Sequence, residues 1–184
     1  MEYPLNVKFR YDSVPLLWEV KDIYSASECN TFCEKIAQAN PSIATRNPMF
    51  RNQDRVIFDD KTIADDLFAR IKPALPETIE NFVLSRLNER LRCYRYNPGQ
   101  KFKPHMDHWY QANEQEISLL SVLVYFNCDF VGGETRFMEQ LDAVVTPEVG
   151  KVAIFQHKVR HEGCEVLSGV KYAMRTDVMY SKRL

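Results

Sequence analysis

The chain has 184 residues, with 24 Lys and Arg against 25 Asp and Glu and a formal net charge of −1 at neutral pH. Its 45% hydrophobic and 12% aromatic content describes an ordinary globular protein, long enough to bury one core without disulfide help. The balanced charge argues against a general nucleic-acid binder, because recognition of a phosphate backbone needs a concentrated basic surface.

In chain order, Leu16 to Val20 reads as a short strand. Ser25-Ala26-Ser27-Glu28 has the form of a capping box opening a helix, and Cys29, Phe32, Cys33, Ile36 and Ala37 follow as an apolar stripe at helical spacing. Asn40 to Gln53, with Pro41, Arg46, Pro48 and Arg51, is polar and rich in turn formers, and is expected to be a loop. Arg55 to Phe58 predicts a strand. Asp60 to Ile71 predicts a helix with Ile63, Ala64, Leu67, Phe68 and Ile71 on one face, and Pro76 to Leu84 a further helical segment. From Leu91 the pattern turns to strands: Leu91–Tyr96, Leu119–Phe126, Thr135–Met138, Lys151–Gln156 and Lys171–Tyr180, separated by Gly- and Pro-containing turns. Helices followed by strands indicate an α+β arrangement in which helices support one side of a sheet folded into a barrel.

Within the strand-rich half, His105-Met106-Asp107 is the segment with the clearest chemistry. Residues i and i+2 of an extended strand project from one face, so His105 and Asp107 can reach a single metal. Two imidazoles and one carboxylate occupy one face of an octahedral ion and leave three adjacent positions open for chemistry, the arrangement of mononuclear iron oxygenases. The third ligand must come from a segment distant in sequence. Gly150 to Glu162 reads as a strand carrying two candidates, His157 and His161, whereas His108, next to Asp107, would point away. Zinc is disfavoured, since a structural zinc site calls for four ligands and none of the five cysteines is suitably spaced. Gly132-Gly133-Glu134 lacks the glycine pattern and following helix of a phosphate loop, and reads as a tight turn.

Four separated motifs then agree in order and spacing: Tyr96-Asn97-Pro98-Gly99-Gln100-Lys101-Phe102-Lys103-Pro104-His105-Met106-Asp107, Gly132-Gly133-Glu134-Thr135, His161-Glu162-Gly163, and Gly169-Val170-Lys171-Tyr172. Together they resemble the catalytic domain of the iron(II)- and 2-oxoglutarate-dependent prolyl 4-hydroxylases, from about Leu91 to Tyr180, roughly half the chain. The resemblance implies a double-stranded β-helix (jelly-roll) barrel supported by N-terminal helices. It also implies that His105, Asp107 and His161 ligate iron, with His161 preferred to His157 because it opens His-Glu-Gly. Lys171, ten residues beyond, falls where the family holds the distal carboxylate of 2-oxoglutarate, and Tyr96 where a tyrosine hydroxyl contacts the same cosubstrate. Arg175, on the same strand face about 13 Å further along, competes with Lys171 for that role. Two positions depart from the family: Phe102 stands where many members have tyrosine, and Asp177 where plant and algal members often have tryptophan.

The activity implied by the resemblance is that of a dioxygenase using iron(II), 2-oxoglutarate and O2, with ascorbate admitted as an accessory, and hydroxylating a peptide or protein residue, proline first. A free amino acid or other small molecule is the alternative acceptor. An inactive metal- or 2-oxoglutarate-binding module is the alternative of another class. The chain is expected to be one domain, residues 1–184, with helical support and outer strands in 1–90 and the metal-binding barrel core in 91–184. Met1 to Asn6 shows no basic stretch leading into an apolar run, no segment approaches the roughly 18 apolar residues of a membrane span, and the odd cysteine count fits reduced thiols. A cytoplasmic protein without membrane or general nucleic-acid partners is expected, its oligomeric state open.

Overall fold

The computed structural model describes residues 8, 10–43, 45, 47–139 and 141–183. The first half holds β1 (Leu17–Val20), α1 (Ala26–Gln38), β2 (Ser42–Ile43), β3 (Asp54–Asp59), α2 (Lys61–Ile71), β4 (Thr78–Ile79) and β5 (Phe82–Leu87). Then come β6 (Arg90–Tyr96), β7 (Phe102–His105), β8 (Glu116–Tyr125), β9 (Val131–Gly132), β10 (Thr135–Phe137) and β11 (Ala143–Val145). The chain closes with β12 (Val152–Gln156), β13 (His161–Gly163), β14 (Val166–Ser168) and β15 (Lys171–Lys182).

Both helices begin as their sequences require. Ser25 caps α1 in a reciprocal box with Glu28, and Asp60 caps α2 by accepting from the amide of Ile63 at 3.1 Å. Their apolar stripes lie against a large antiparallel sheet. Cys29 and Ile36 of α1 and Ala64, Leu67 and Ile71 of α2 are buried, and Phe32 stacks on Phe126 with centroids 4.6 Å apart. Full burial of a side chain such as Leu67 contributes about 1.5–3 kcal/mol.

The large sheet runs β1-β12-β8-β15-β6-β3-β2, with the β4–β5 hairpin joined to it through β15. A smaller sheet, β11-β10-β13-β7, faces it, and β14 pairs with β9. Tyr125, Phe137, Phe155 and Ala173 fill the space between the sheets. The result is the double-stranded β-helix, with the helices on the outer face of the large sheet.

Three expectations are corrected. Residues 76–84 are not helical. Ile79 and Phe82 are buried three apart because they face each other across a two-residue turn, Glu80-Asn81, with Glu80 in the left-handed region at φ +52°. A helical i, i+3 spacing and a tight hairpin are indistinguishable at that length. Residues 150–162 form two strands: β12 belongs to the large sheet and β13 to the small one, and a turn closed by the Val159 amide on the Gln156 carbonyl at 3.0 Å carries the chain between them. The expected loop at 40–53 includes the short β2, paired with β3 at Ser42–Arg55 and Ile43–Asp54, while residues 44 and 46 lie outside the described set. No helix among the described residues is long and apolar enough to cross a membrane.

Candidate active site

The two sheets bring separated side chains to one point. His105 at the end of β7 pairs directly with His161 at the start of β13. Asp107 lies two residues past β7, outside any strand, where its amide donates to the His157 carbonyl at 2.8 Å. The expected shared strand face therefore stops at His105, but the convergence does not depend on it: candidate ligand atoms of His105, Asp107 and His161 all lie within 4.8 Å of one another.

The donor chemistry of this cluster suits a divalent metal. Nδ1 of His105 lies 2.8 Å from the Lys103 carbonyl and Nδ1 of His161 3.0 Å from the Val159 carbonyl, so each Nδ1 carries the proton and each Nε2 keeps its lone pair. Burial, reinforced by His161, pushes His105 down to about 4, and burial likewise lowers His161, so both rings are neutral at physiological pH. Burial alone would raise Asp107, but Arg175, His161 and His157 outweigh it and hold the carboxyl well below the usual carboxylate range. Arg175 Nε at 2.8 Å and Ser121 Oγ at 2.6 Å both donate to Oδ2 of Asp107, which leaves Oδ1 without a hydrogen bond from any described residue. Neutral imidazoles and an ionised carboxylate are the protonation states a metal requires.

Aromatic rings enclose the histidines. Phe102 stacks on His105 with centroids 3.6 Å apart, and Phe155 meets His161 edge-on at 4.7 Å. The ring at 102 thus serves as a packing face for a candidate ligand.

An inner pocket of about 40 Å³ runs from the cluster between the sheets, lined among others by Tyr94, Tyr96, Thr135, Lys171 and Arg175. Lys171 and Arg175 do share a face, as their spacing on β15 requires, but their surroundings differ. Lys171 is 2% exposed, donates from Nζ to the Gly133 carbonyl at 2.6 Å, and lies over the rings of Tyr96 and Tyr125 at 5.0 and 5.4 Å. Burial pulls its ammonium down to about 8 against the attraction of Cys164 and Glu134, and no described carboxylate forms an ion pair with it. Arg175 is engaged by Asp107 and, through Nη2 at 2.8 Å, by Asp177. Asp177 also accepts from Arg92 at 3.2 Å, so at this departure from the family pattern the aspartate anchors cations and lines neither cavity. Tyr96 lies deep in the inner pocket, and burial raises its hydroxyl well above the usual range, keeping it a neutral donor.

His157 is buried and outside the three-residue cluster. Its Nδ1 lies 2.8 Å from Ser121 Oγ and its Nε2 2.9 Å from Ser118 Oγ, so it supports the serine that holds Asp107. A supporting place behind the ligands was one of the two alternatives to ligation that the sequence left for His157, the other being the surface; the serines it acts through and the second tyrosine, at position 94, were not anticipated. Alternation from Tyr96 along β6 was the available signal for Tyr94. The serines had none, because their approach to Asp107 is made through the pairing of β8 with β12 and β15.

A second, outer cleft of about 550 Å³ opens beside the cluster. Phe50 and Arg51 from one chain segment and Met106 to Tyr110 from another line it, together with Arg55, Arg92 and Lys158.

A jelly roll with two neutral histidines and a carboxylate converging at the mouth of an inner pocket defines the class of mononuclear metal-dependent oxygenases. Residues 91–176 match the family model described as the 2OG-Fe(II) oxygenase superfamily. The match lies in the strand-rich part of the chain and supports a 2-oxoglutarate-dependent dioxygenase whose cofactor set is iron(II), 2-oxoglutarate and O2. Its fold is similar to that of the viral collagen prolyl hydroxylase of Paramecium bursaria Chlorella virus-1 in its 2OG complex, at TM-score 0.70 and 20% identity over 92% of this chain and 98% of that one. A Pseudomonas putida prolyl-4-hydroxylase is similar at 0.67 and 16%, over 94% and 95% of the two chains. A Trichoplax adhaerens prolyl hydroxylase, in complex with a hypoxia inducible factor oxygen degradation domain peptide fragment, is similar at 0.67 and 14%, over 89% and 83%. At these identities the likeness is one of fold. Comparison with curated proteins by sequence gave no match.

Proposed function

We propose that this dioxygenase hydroxylates a residue of a peptide or protein, with proline as the acceptor, and that His105, Asp107 and His161 hold its iron. The observation that carries the acceptor reading is the outer cleft: about 550 Å³ of space beside the cluster, lined by two separate chain segments and open to solvent, leaves an extended peptide room to lie across the site. The peptide-bound Trichoplax relative of the same fold supports it.

When bound, iron(II) with 2-oxoglutarate and O2 supplies the oxidation, in which one oxygen atom enters succinate as CO2 is lost and the other enters the acceptor's C–H bond. The chain's own residues set the stage for that chemistry. Lys171, enclosed and without a carboxylate partner among the described residues, would take the distal carboxylate of 2-oxoglutarate in the inner pocket, and the Tyr96 hydroxyl would donate to the same molecule. Arg175 and Ser121 would orient Asp107 through their hydrogen bonds to Oδ2, the oxygen that lies 3.9 Å from Nε2 of His161. Arg175 is thereby a positioning residue for the ligand set, and Lys171 is the cosubstrate clamp. Phe102 and Phe155 shield the imidazoles from water.

Succinate release from 2-oxoglutarate, measured with and without proline-containing peptides and paired with mass analysis of those peptides, tests the reading. Peptide-stimulated succinate and a matching gain of one oxygen on proline is the expected result. Stimulation by free amino acids alone would replace the peptide reading with the small-molecule one.

A further inference from the structure

The outer cleft carries far more positive charge than its own residues neutralise. Five cations line it, Arg51, Arg55, Arg92, Lys158 and Arg175, and the one carboxylate among the lining residues is Asp107. Three of the five are committed. Arg175 binds Asp107 and Asp177, Arg92 binds Asp177, and Lys158 donates to the Asp107 carbonyl at 3.1 Å while lying 4.5 Å over the Trp109 ring. Arg51 and Arg55 form no ion pair with any described residue.

Arg51 is the more telling of the two. Its Nε and Nη2 are buried and have no hydrogen-bond partner among the described residues. These two atoms lie on one edge of the guanidinium and form the fork that grips a carboxylate with two parallel bonds. The group is held in place by packing, with its Cζ 4.6 Å from the centroid of Phe102. Buried donors without acceptors are costly, about 1–3 kcal/mol or more for charged groups, and a carboxylate brought by a bound peptide would satisfy both. Arg55 stands four residues along, opposite Tyr94 in the β3–β6 ladder, and Arg51 and Arg92 add to burial in disfavouring its charge. Gln53, between them and 1% exposed, also has both amide atoms unpartnered.

We propose that Arg51 and Arg55 form a recognition site for an acidic side chain of the acceptor peptide, so that the preferred substrate carries Asp or Glu close to the hydroxylated residue. This deepens the peptide-hydroxylase reading above and rests on it. The spacing is set by two ring contacts. Phe102 lies 3.6 Å from the His105 ring and Arg51 4.6 Å from Phe102, which places the guanidinium within about 8 Å of the imidazole. An extended peptide advances about 3.3 Å per residue, so the acid falls within about three residues of the target. A nucleic acid would also supply anions, but a chain of net charge −1 does not extend this positive surface beyond the cleft as a phosphate backbone requires.

The test uses the iron-loaded protein under anaerobic conditions with saturating 2-oxoglutarate, and fluorescence anisotropy of labelled, end-capped decapeptides with one central proline. In each, a single Asp or its isostere Asn occupies one position within three residues of the proline. Asp at one or two positions is expected to bind about 10-fold tighter than Asn, an advantage that Arg51→Gln and Arg55→Gln each reduce. Arg51→Glu should reverse the preference toward a Lys peptide, a gain that misfolding cannot imitate. Equal affinity for Asp and Asn peptides at every position overturns the proposal. So does a preference that saturating 2-oxoglutarate abolishes, which would assign the arginines to the cosubstrate, or a 12-nucleotide RNA that binds through both arginines while acidic peptides do not. Mass analysis separates the two readings. Peptides bound with acidic preference but never oxidised sink peptide hydroxylation and leave the anion site standing, whereas peptides oxidised with no dependence on nearby acids do the reverse.

Discussion

Nε of Arg175 donates to Oδ2 of Asp107 at 2.8 Å, so the residue that competed with Lys171 for a cosubstrate carboxylate is bound to a carboxylate of the protein itself. The pair is largely buried, with side-chain exposures of 13% and 8%. Breaking such a pair by removing one partner costs about 3–5 kcal/mol, because the other charge is left without compensation.

Arg175→Met should therefore lower thermal stability in the metal-free protein, with part of the loss recovered on adding iron(II), since the metal supplies the charge that Asp107 has lost. Iron affinity should fall about 10-fold to 100-fold, the usual cost of losing a group that orients a ligand. Thermal melts with and without metal, and chelator competition, measure both. Unchanged iron affinity with a large loss of 2-oxoglutarate affinity would return Arg175 to the cosubstrate.

Removing a ligand should differ in kind from removing its support. His105→Ala, Asp107→Ala and His161→Ala should each abolish turnover and stoichiometric iron binding while leaving the far-ultraviolet circular dichroism close to that of the parent. His157→Gln should retain one bound iron with reduced affinity, because the imidazole reaches Asp107 through Ser121. Iron retained in full by His161→Ala, and lost in His157→Gln, would exchange the two assignments.

Lys171→Ala should weaken 2-oxoglutarate about 10-fold to 150-fold, the range expected for a charge-assisted hydrogen bond of about 1.5–3 kcal/mol, with little effect on iron affinity. Burial lowers this ammonium to about 8 from its ordinary 10.5. Below about pH 8 it is charged and binds the carboxylate; above that it is neutral, so 2-oxoglutarate affinity should fall as pH rises through about 8, and binding near there should take up a proton. The stability effect has the opposite trend. Between about pH 8 and 10.5 the unfolded chain holds a proton that the folded one does not, so without cosubstrate Lys171's contribution makes the fold more stable as pH rises through that window. Calorimetric titrations in two buffers of different ionisation enthalpy resolve the proton uptake. A pH-independent affinity between 7 and 9 would remove Lys171 from the clamp.

Gly133→Ala should act on the same lysine at one remove. Gly133 has φ +71°, and a β-carbon there would come to 2.9 Å from Phe130 and 3.3 Å from Cδ of Lys171, the side chain whose Nζ its carbonyl holds. The substitution should weaken 2-oxoglutarate severalfold and leave iron binding near the parent value, read by the same titrations. Equal cosubstrate affinity in parent and variant would show that this carbonyl does not position the clamp.

The sequence by itself determined the parts whose signal is local. Helix α1 was legible because a capping box and a stripe at 3.6-residue spacing are both properties of consecutive residues, and β6, β8 and β15 because branched and aromatic side chains concentrate between turns. His105, Asp107 and His161 could be singled out as side chains that would converge, since the first two are only two residues apart and the third opens a short motif of its own. Only tertiary structure decided what each cation meets. Lys171 and Arg175 are alike in sequence, on one face of one strand, and they differ because β6 and the Gly133 turn surround one while β8 and the Asp107 segment meet the other. The residue 76–84 hairpin and the break between β12 and β13 were hidden for a related reason: a short apolar spacing fits either a helix or a turn until a partner strand arrives to pair with it. Arg51 and Arg55 carried no signal at all. Their meaning lies in ion-pair partners that no described residue provides, and a missing partner becomes visible only when the neighbours are in place.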